Sequence, residues 1–480
     1  MQDMNRKIGV GVLWNLLSMF LTRGATTIFT LLLARFLAPD AFGLVAMSMV
    51  VFEVATVFIT SGLGTALIRS KEVCEADLNT VFYSNLGLSV LAYIALFGGA
   101  PYIAEFYDQP ELTTLVRVMG LVVFINATKI VQGAILSRKM DFKLQMKGNT
   151  AGVLVSGTLA VGAAWNGFGV WSLVIQMLSA ALVSGIVLWL GTGWRPRLQF
   201  SRESFKRLFG FGKAILAEGI LDKLFQNSYV LVIGRFFGAE LTGLYYFGRK
   251  FSNLISRQLT GAVQRATLPA LSTLQDDNVH LKRKFRQVMQ LMMAVIVPIM
   301  AILAGVSQTL FSLLFDERWQ GAVPFIQVLC LVGMLYPLHS LNVNLLNVKG
   351  RSDLILKIGV FKKVVNLTLL FCAIPFGVFG IVVSQLIASI LSLAPNTYYS
   401  EKLVGYTLSE QLSDIWKPIL SSIFAGGSAW LVSQAGQNAE WVWFILGGCS
   451  GLFVYFIVSI IVRMEAVYLL ASRMPLWRRT

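Results

Sequence analysis

Ionisable side chains inside long apolar stretches are the residues of this 480-residue sequence best able to do chemistry. A charge at the centre of a bilayer costs about 2.5–3.5 kcal/mol on the insertion scale, so such groups face protein or water instead of lipid. Cations outnumber acids among them, which predicts an anionic ligand. The set comprises Arg23, Glu53, Lys129, Glu218, Asp222, Lys223, Arg249, Lys250, Arg257, Lys362 and Lys363.

Helical spacing places several of these groups on shared faces. Arg249, Asn253, Arg257, Thr260 and Gln264 recur at steps of three or four and form one polar stripe, and Arg23 lies beside a second stripe of Asn15, Ser18, Thr22 and Thr26. Arginine and lysine in such a cavity can bind a diphosphate through charge-assisted hydrogen bonds. We predict a cationic substrate-binding cavity lined by Arg23, Lys129, Lys223, Arg249, Lys250 and Arg257.

The intramembrane acids Glu53, Glu218 and Asp222 are candidates for ion coupling. A structural alternative is open for each of them: Glu218 and Asp222 can pair with Lys223 or Arg23 in an ion cluster. Glu53, like His339, can instead make an interhelical hydrogen bond.

No cofactor or metal site is predicted from the remaining residues. The four cysteines lack metal-ligand spacing, and no Gly-rich phosphate loop ending in Gly-Lys-Ser or Gly-Lys-Thr occurs. Energy for transport is therefore expected from an H⁺ or Na⁺ gradient or from the gradient of the substrate itself.

The elements that position these groups are membrane-spanning helices. Hydrophobic residues make up 56% of the chain and charged residues 13%, a composition that cannot cover the core of a water-soluble protein. Apolar windows long enough to cross about 30 Å of hydrocarbon predict about fourteen spans. They lie near 8–34, 42–67, 78–104, 112–137, 146–165, 168–191, 212–235, 240–272, 286–315, 322–348, 354–375, 377–399, 415–434 and 440–463.

Basic residues concentrate in alternate loops. With a cytoplasmic N-terminus, one set of loops carries clusters such as Lys282, Arg283, Lys284 and Arg286, while the opposite loops are rich in acids. This asymmetry predicts that both termini are cytoplasmic. The net charge of +16 then follows mainly from membrane topology, and binding to nucleic acid is not expected.

An internal repeat divides the chain. Residues 34–44 share an Arg-Phe and a Gly-Leu pair with residues 234–244, and a later echo has an offset of 210 residues. Because six helices separate the copies, both have the same orientation, as in parallel repeats related by an axis along the membrane normal. We predict an all-α membrane protein with lobes at 1–200 and 201–402, followed by two further spans at 403–480.

Several segments in order along the chain resemble one transporter family. They are 35–44, 62–69, 77–82, 138–142, 169–174, 233–238 and 268–272, which include Arg35-Phe36-Leu37, Phe42-Gly43-Leu44 and Leu268-Pro269-Ala270-Leu271-Ser272. Together they resemble the polysaccharide transporter family, the Wzx-type and colanic-acid-exporter-like flippases of the multidrug, oligosaccharidyl-lipid and polysaccharide exporter superfamily.

The resemblance implies a transport activity in a bacterial inner membrane. Such proteins move undecaprenyl-diphosphate-linked oligosaccharide repeat units from the cytoplasmic to the periplasmic leaflet by alternating access, for exopolysaccharide or lipopolysaccharide biosynthesis. A polysaccharide polymerase and export machinery then act on the flipped unit. The expected partners are therefore this lipid-linked oligosaccharide, membrane lipids and the polymerase and export proteins.

Three alternatives stay open at this point. A lipid II flippase and a cation-coupled drug exporter belong to the same superfamily, although drug exporters usually present acidic or neutral cavities. A membrane glycosyltransferase or polymerase belongs to another class and commonly needs a large external loop or an aspartate-rich catalytic site. The sequence contains neither feature, so the chain is not expected to be an enzyme.

Overall fold

A computed structural model describes residues 21–60, 63–436 and 439–465, and within these ranges the chain is almost entirely α-helical with no β-strand. The prediction of an all-α protein is confirmed. The helices up to the first long basic loop are 21–36 (α1), Pro39–Thr60 (α2), Leu63–Arg69 (α3), Glu75–Tyr107 (α4), Glu111–Met119 (α5), Leu121–Ala127 (α6), Ile130–Arg138 (α7), Phe142–Trp165 (α8) and Trp171–Thr192 (α9).

The remaining helices repeat the pattern of long elements joined by short connections. They are Arg202–Ser272 (α10), Asn278–Leu314 (α11), Val323–Val348 (α12), Ser352–Ala373 (α13), Gly377–Leu391 (α14), Leu393–Val404 (α15), Leu408–Ser433 (α16) and Glu440–Ile461 (α17). Short 3₁₀ turns at Glu317–Ala322 and Ile374–Phe376 precede α12 and α14.

Nine stretches of the described residues are long and apolar enough to cross a membrane. Two of these stretches, Gly219–Arg265 and Ser352–Val404, each cover a region for which the sequence predicts two spans. The chain is therefore a multi-pass membrane protein. The number of fourteen spans stays a prediction.

Gly238 separates the two spans predicted within α10. Its backbone has φ 81° and ψ −176°, a conformation that is essentially confined to glycine. The Thr242 hydroxyl donates to the Gly238 carbonyl at 2.7 Å and stabilises the first turn after this break. The predicted spans near 212–235 and 240–272 correspond to the two sides of the break.

The internal repeat produces a reciprocal contact between α2 and α10. A Cβ atom added to Gly43 would lie 1.8 Å from the carbonyl oxygen of Ala239, and one added to Gly243 would lie 1.8 Å from that of Pro39. Pro39 and Ala239 are equivalent positions of the repeat, as are Gly43 and Gly243. The two contacts are therefore related as across a two-fold axis. This geometry confirms the predicted relation between residues near 40 and residues near 240.

Two compact units make up the structure, the first extending to Gly243 and the second beginning at Leu244. The boundary lies within α10. The first unit therefore includes residues 202–243, which the sequence assigns to the second lobe. The predicted lobes at 1–200 and 201–402 follow the sequence repeat, whereas these units follow packing. The division into lobes stays a prediction.

Each unit contains a buried aspartate paired with an arginine. Arg207 donates to Asp77 at 2.6 Å in the first unit, and Arg286 donates to Asp414 at 2.5 Å in the second, where Tyr406 also donates to Asp414 at 2.7 Å. The two aspartate side chains are only 3% and 2% exposed. Buried charges need such partners, so these pairs fix how the surrounding helices pack.

Candidate functional site

The acid Glu53 and the cation Lys223 lie together in the first unit. Lys223 Nζ is 3.2 Å from Glu53 Oε2, and the Asn227 amide donates to the same oxygen at 3.0 Å. Both charged side chains are more than a third exposed. The interhelical hydrogen bond considered for Glu53 is therefore present between α2 and α10, and it neutralises most of the charge that Lys223 would offer an anion.

The other predicted coupling residues lie on the same helix. The Asp222 carboxylate accepts a hydrogen bond from Gln226, one turn farther along α10. The side chain of Glu218 lies outside the described part of the chain. A role for either residue in ion coupling stays a prediction.

Arg23 is exposed near the beginning of the described part of α1. Of the stripe predicted beside it, Asn15 and Ser18 lie outside the described residues, and the Thr26 hydroxyl donates to the Thr22 carbonyl at 2.6 Å. Arg23 is the repeat equivalent of Lys223, whereas the equivalent of Glu53 is the neutral Asn253. The sequence therefore has no acid, at the position equivalent to Glu53, that could pair with Arg23 as Glu53 pairs with Lys223.

The stripe on α10 is only partly accessible. Arg257 is exposed, and its guanidinium lies over the Tyr336 ring at 5.4 Å from the centroid. Thr260 is fully buried, and the Gln264 amide donates to the Ser340 hydroxyl at 2.7 Å. Packing of α10 against α12 therefore removes the far end of the stripe from any cavity and leaves the arginine end.

Arg249 and Lys250 precede Arg257 by about two turns and are half-buried. The Arg249 side chain lies in hydrogen-bonding reach of the buried Tyr245 hydroxyl, which donates to Gln385 at 3.4 Å. Arg249 and Arg257 thus form the cationic part of α10 within the second unit.

His339 is a structural residue. Its two ring nitrogens lie 3.0 Å from the Ser389 hydroxyl and 2.8 Å from the Asn396 amide nitrogen. These contacts join α12 to α14 and α15. The prediction of a satisfied interhelical hydrogen bond is confirmed for His339.

Lys129 does not share a pocket with the other predicted site residues. It lies at the break between α6 and α7, and its ammonium donates to the Ser184 hydroxyl at 2.9 Å. A cavity of about 380 Å³ opens beside it, lined by side chains of α3, α7, α8 and α9. This cavity belongs wholly to the first unit.

Sequence reasoning missed the buried ion pairs at Asp77 and Asp414. Both aspartates lie near predicted span ends, where charges are ordinarily solvated, so the pattern of apolar windows gave them no special weight. The signal that could have singled out Asp414 is the capping box of Thr407 and Glu410, because it places Asp414 about two turns inside α16.

The sequence profile described as "Polysaccharide biosynthesis protein" matches residues 32–324, which is more than half of the chain. The chain belongs to this family. The polysaccharide biosynthesis family match covers most of both sequence repeats, including the crossing at Gly43 and Gly243 and the cationic part of α10.

Relatives of this polysaccharide biosynthesis protein are similar along most of their length. The lipopolysaccharide biosynthesis protein WzxC of Escherichia coli (strain K12) is 25% identical over 421 residues, covering 86% of this chain and 85% of the relative. The teichuronic acid biosynthesis protein TuaB of Bacillus subtilis (strain 168) is 26% identical over 391 residues, covering 80% of each chain.

Solved structures share the fold. A lipid II flippase MurJ in an inward closed conformation matches with a TM-score of 0.77 at 14% identity, covering 95% of this chain and 100% of the flippase. An inward-facing multidrug resistance transporter of the MATE family matches with a TM-score of 0.59 at 16% identity, covering 79% and 95%. This chain therefore has the fold of these membrane transporters.

Proposed function

We propose that this protein moves an oligosaccharide linked to undecaprenyl diphosphate from the cytoplasmic to the periplasmic leaflet of a bacterial inner membrane. The family match carries the proposal, because the fold is shared by lipid II flippases and drug exporters and does not distinguish among them. Relatives named for lipopolysaccharide and teichuronic acid biosynthesis favour a glycan as cargo over lipid II or a drug.

The charge of Arg257 supports an anionic cargo. This side chain is exposed within a spanning stretch and contacts an aromatic ring, with no carboxylate partner among the described residues. A guanidinium facing hydrocarbon would cost several kcal/mol, so it needs water or a ligand. The diphosphate of a polyprenyl carrier meets that need through hydrogen bonds to a charged donor.

The binding residues in this proposal are Arg23, Lys223, Arg249, Lys250 and Arg257, and alternating access exposes the sugar to each side in turn. Lys223 contributes when its pairing with Glu53 is relieved, and we propose that Glu53, Asp222 and Glu218 couple this step to H⁺ or Na⁺. A polysaccharide polymerase and export machinery would receive the flipped unit. Both termini are placed on the cytoplasmic side.

The test is leaflet-resolved protection of a labelled undecaprenyl-diphosphate oligosaccharide in proteoliposomes. We expect Arg257→Gln to reduce flipping at least about tenfold, since a hydrogen bond to a charged group is worth about 1.5–3 kcal/mol. Arg257→Lys should retain part of the activity because the charge is kept. Arg283→Gln, at an exposed arginine in the loop-proximal part of α11, serves as the matched control.

Flipping by Arg257→Gln at the rate of the unaltered protein would remove Arg257 from the route. Failure of the unaltered protein to flip the labelled lipid, in vesicles where it is inserted and folded, would reject the proposed cargo. Transport of lipid II in the same assay would instead support the flippase alternative.

A further inference from the structure

A cavity of the first unit, lined by both polar and apolar side chains, has the features of an anion site. It lies beside the break in the predicted fourth span, between α6 and α7, where Lys129 has φ −106° and ψ 0°. Interrupted membrane helices commonly occur where irregular backbone lines a cavity and binds a ligand. The cavity volume of about 380 Å³ leaves room for a group larger than water.

The charge of Lys129 is not neutralised within the described residues. Its ammonium donates to the neutral Ser184 hydroxyl, and none of the ion pairs of the described chain involves it. An ammonium has three protons to donate. Those not directed at Ser184 are available to an acceptor in the cavity.

Further donors come from three other positions in the cavity wall. Ser137 accepts a hydrogen bond from the Gln145 amide at 3.0 Å, so its own hydroxyl proton is left to donate. Thr65 on α3 and Asn149 on α8 contribute a hydroxyl and an amide to the lining. The positive end of the α7 dipole adds to the potential beside Lys129.

The surroundings of the cavity are basic. Lys139, Lys143 and Lys147 are exposed on the segment that links α7 to α8 and on the first turns of α8, with Asp141 as the acid among them. Lys129 lies eight residues before Ser137, which corresponds to about 12 Å along a helix. Lys129 is therefore deep, whereas Lys139, Lys143 and Lys147 are close to the surface. This arrangement would draw an anion inward.

We propose that this cavity binds a phosphate group, separately from the route of the cargo. A phosphate group suits an ammonium accompanied by hydroxyl and amide donors of α3, α7 and α8 in the same cavity wall, whereas a planar carboxylate is matched by an arginine fork, and no arginine lines the cavity. The group would belong either to the headgroup of an anionic lipid or to a soluble phosphate.

Binding of two probes to the purified full chain tests the proposal. The first probe is inorganic phosphate, and the second is dihexanoyl phosphatidylglycerol, with dihexanoyl phosphatidylcholine for comparison. We expect saturable binding of at least one probe. Lys129→Gln should weaken it about tenfold or more, because a charge-assisted hydrogen bond is removed. Lys357→Gln, at an exposed lysine of α13 in the second unit, is the matched control and should bind as the unaltered protein does.

A second variant keeps the lysine and fills the cavity. A Cβ added to Gly133 meets no atom within 4 Å, so Gly133→Leu can be accommodated and would occupy the space. We expect this variant to fold, since leucine favours a helix more than glycine does, and to lose binding.

Binding of inorganic phosphate identifies a soluble ligand, whereas binding of the anionic lipid alone identifies a headgroup; both support the site. The proposal is overturned if neither probe binds, or if Lys129→Gln and Gly133→Leu both bind normally. Because the readout is binding and not flipping, its result is independent of the cargo proposed above.

Discussion

Two predicted site residues, Lys223 and Arg257, differ in the group that their charge contacts. Lys223 pairs with the carboxylate of Glu53, whereas Arg257 lies on a tyrosine ring without an acid among the described residues. Sequence spacing placed both cations inside spans but could not show which had a partner. The contrast arises from a distant helix, because α2 supplies Glu53 to Lys223 across 170 residues of chain.

Replacing Glu53 tests whether its pairing with Lys223 serves coupling or stability. We expect Glu53→Gln to change the free energy of unfolding by no more than about 1 kcal/mol, since both side chains are over a third exposed and solvent screens the pair. We also expect it to flatten the dependence of export on external pH, because glutamine cannot take up a proton. Thermal unfolding in detergent and transport at several pH values measure the two effects.

A buried pair provides the comparison. Asp414→Asn removes the charge from a carboxylate that is 2% exposed and accepts hydrogen bonds from Arg286 and Tyr406, and loss of a hydrogen bond to a charged group costs about 1.5–3 kcal/mol. If Glu53→Gln destabilised the protein as much as Asp414→Asn does, the Glu53 pair would be structural. An unchanged pH profile would exclude proton coupling through Glu53.

At the scale of helices, the sequence predicted the break in α10 better than it predicted packing. The predicted spans leave a gap between residues 235 and 240, and Gly238 has the backbone conformation that separates the two helices there. The polar stripe on α10 was only partly accessible, since Thr260 is buried and the half-buried Gln264 is hydrogen-bonded to Ser340 of α12. Periodicity identifies the face of a helix but not the neighbour that covers it.

The same limit explains Lys129. Its position inside an apolar stretch predicted that it would face protein or water, and Lys129 lies beside a cavity in the structure. That cavity is formed by α3, α7, α8 and α9, and no regular spacing in the sequence indicates that these four elements meet beside a broken helix.

The crossing of α2 and α10 is sensitive to a single methyl group. Gly43→Ala would place a Cβ atom 1.8 Å from a backbone oxygen, which the two helices can relieve only by moving apart. We expect destabilisation of about 1–3 kcal/mol or more and a loss of export, measured by thermal unfolding and by the flipping assay.

Gly98→Ala on α4 is the matched control for the Gly43 variant. A Cβ there meets nothing within 4 Å, and alanine favours a helix over glycine by about 1 kcal/mol, so this control should be as stable as the unaltered protein or more so. Equal unfolding temperatures for the two variants would contradict the close contact at Gly43.

For the whole molecule, composition, apolar windows, charge asymmetry and the repeat predicted an all-helical multi-pass membrane protein, and the resemblance of its motifs indicated this family. The two compact units divide within α10 instead of at the repeat boundary. A repeat is recognised by shared residues, whereas a unit is defined by which helices touch. Residues 202–243 therefore belong to the second lobe by sequence and to the first unit by packing.

Membrane orientation follows from charge and can be tested with single cysteines. In a background where the exposed Cys74, Cys372 and Cys449 are serine, Arg283→Cys should react with an impermeant maleimide only after the membrane is permeabilised. Glu317→Cys, exposed on the opposite side of the predicted topology, should react in intact cells. The reverse labelling pattern would invert the topology.

The reciprocal glycines have a mechanical consequence. Where helices meet through interlocking side chains, any rotation has to break and remake those contacts, and each rearrangement slows the motion. At Gly43 and Gly243 two backbones meet with no side chain between them. The two helices can therefore rotate against each other there without repacking side chains, while the distance between them stays the same. This contact therefore has the geometry expected of a pivot between α2 and α10.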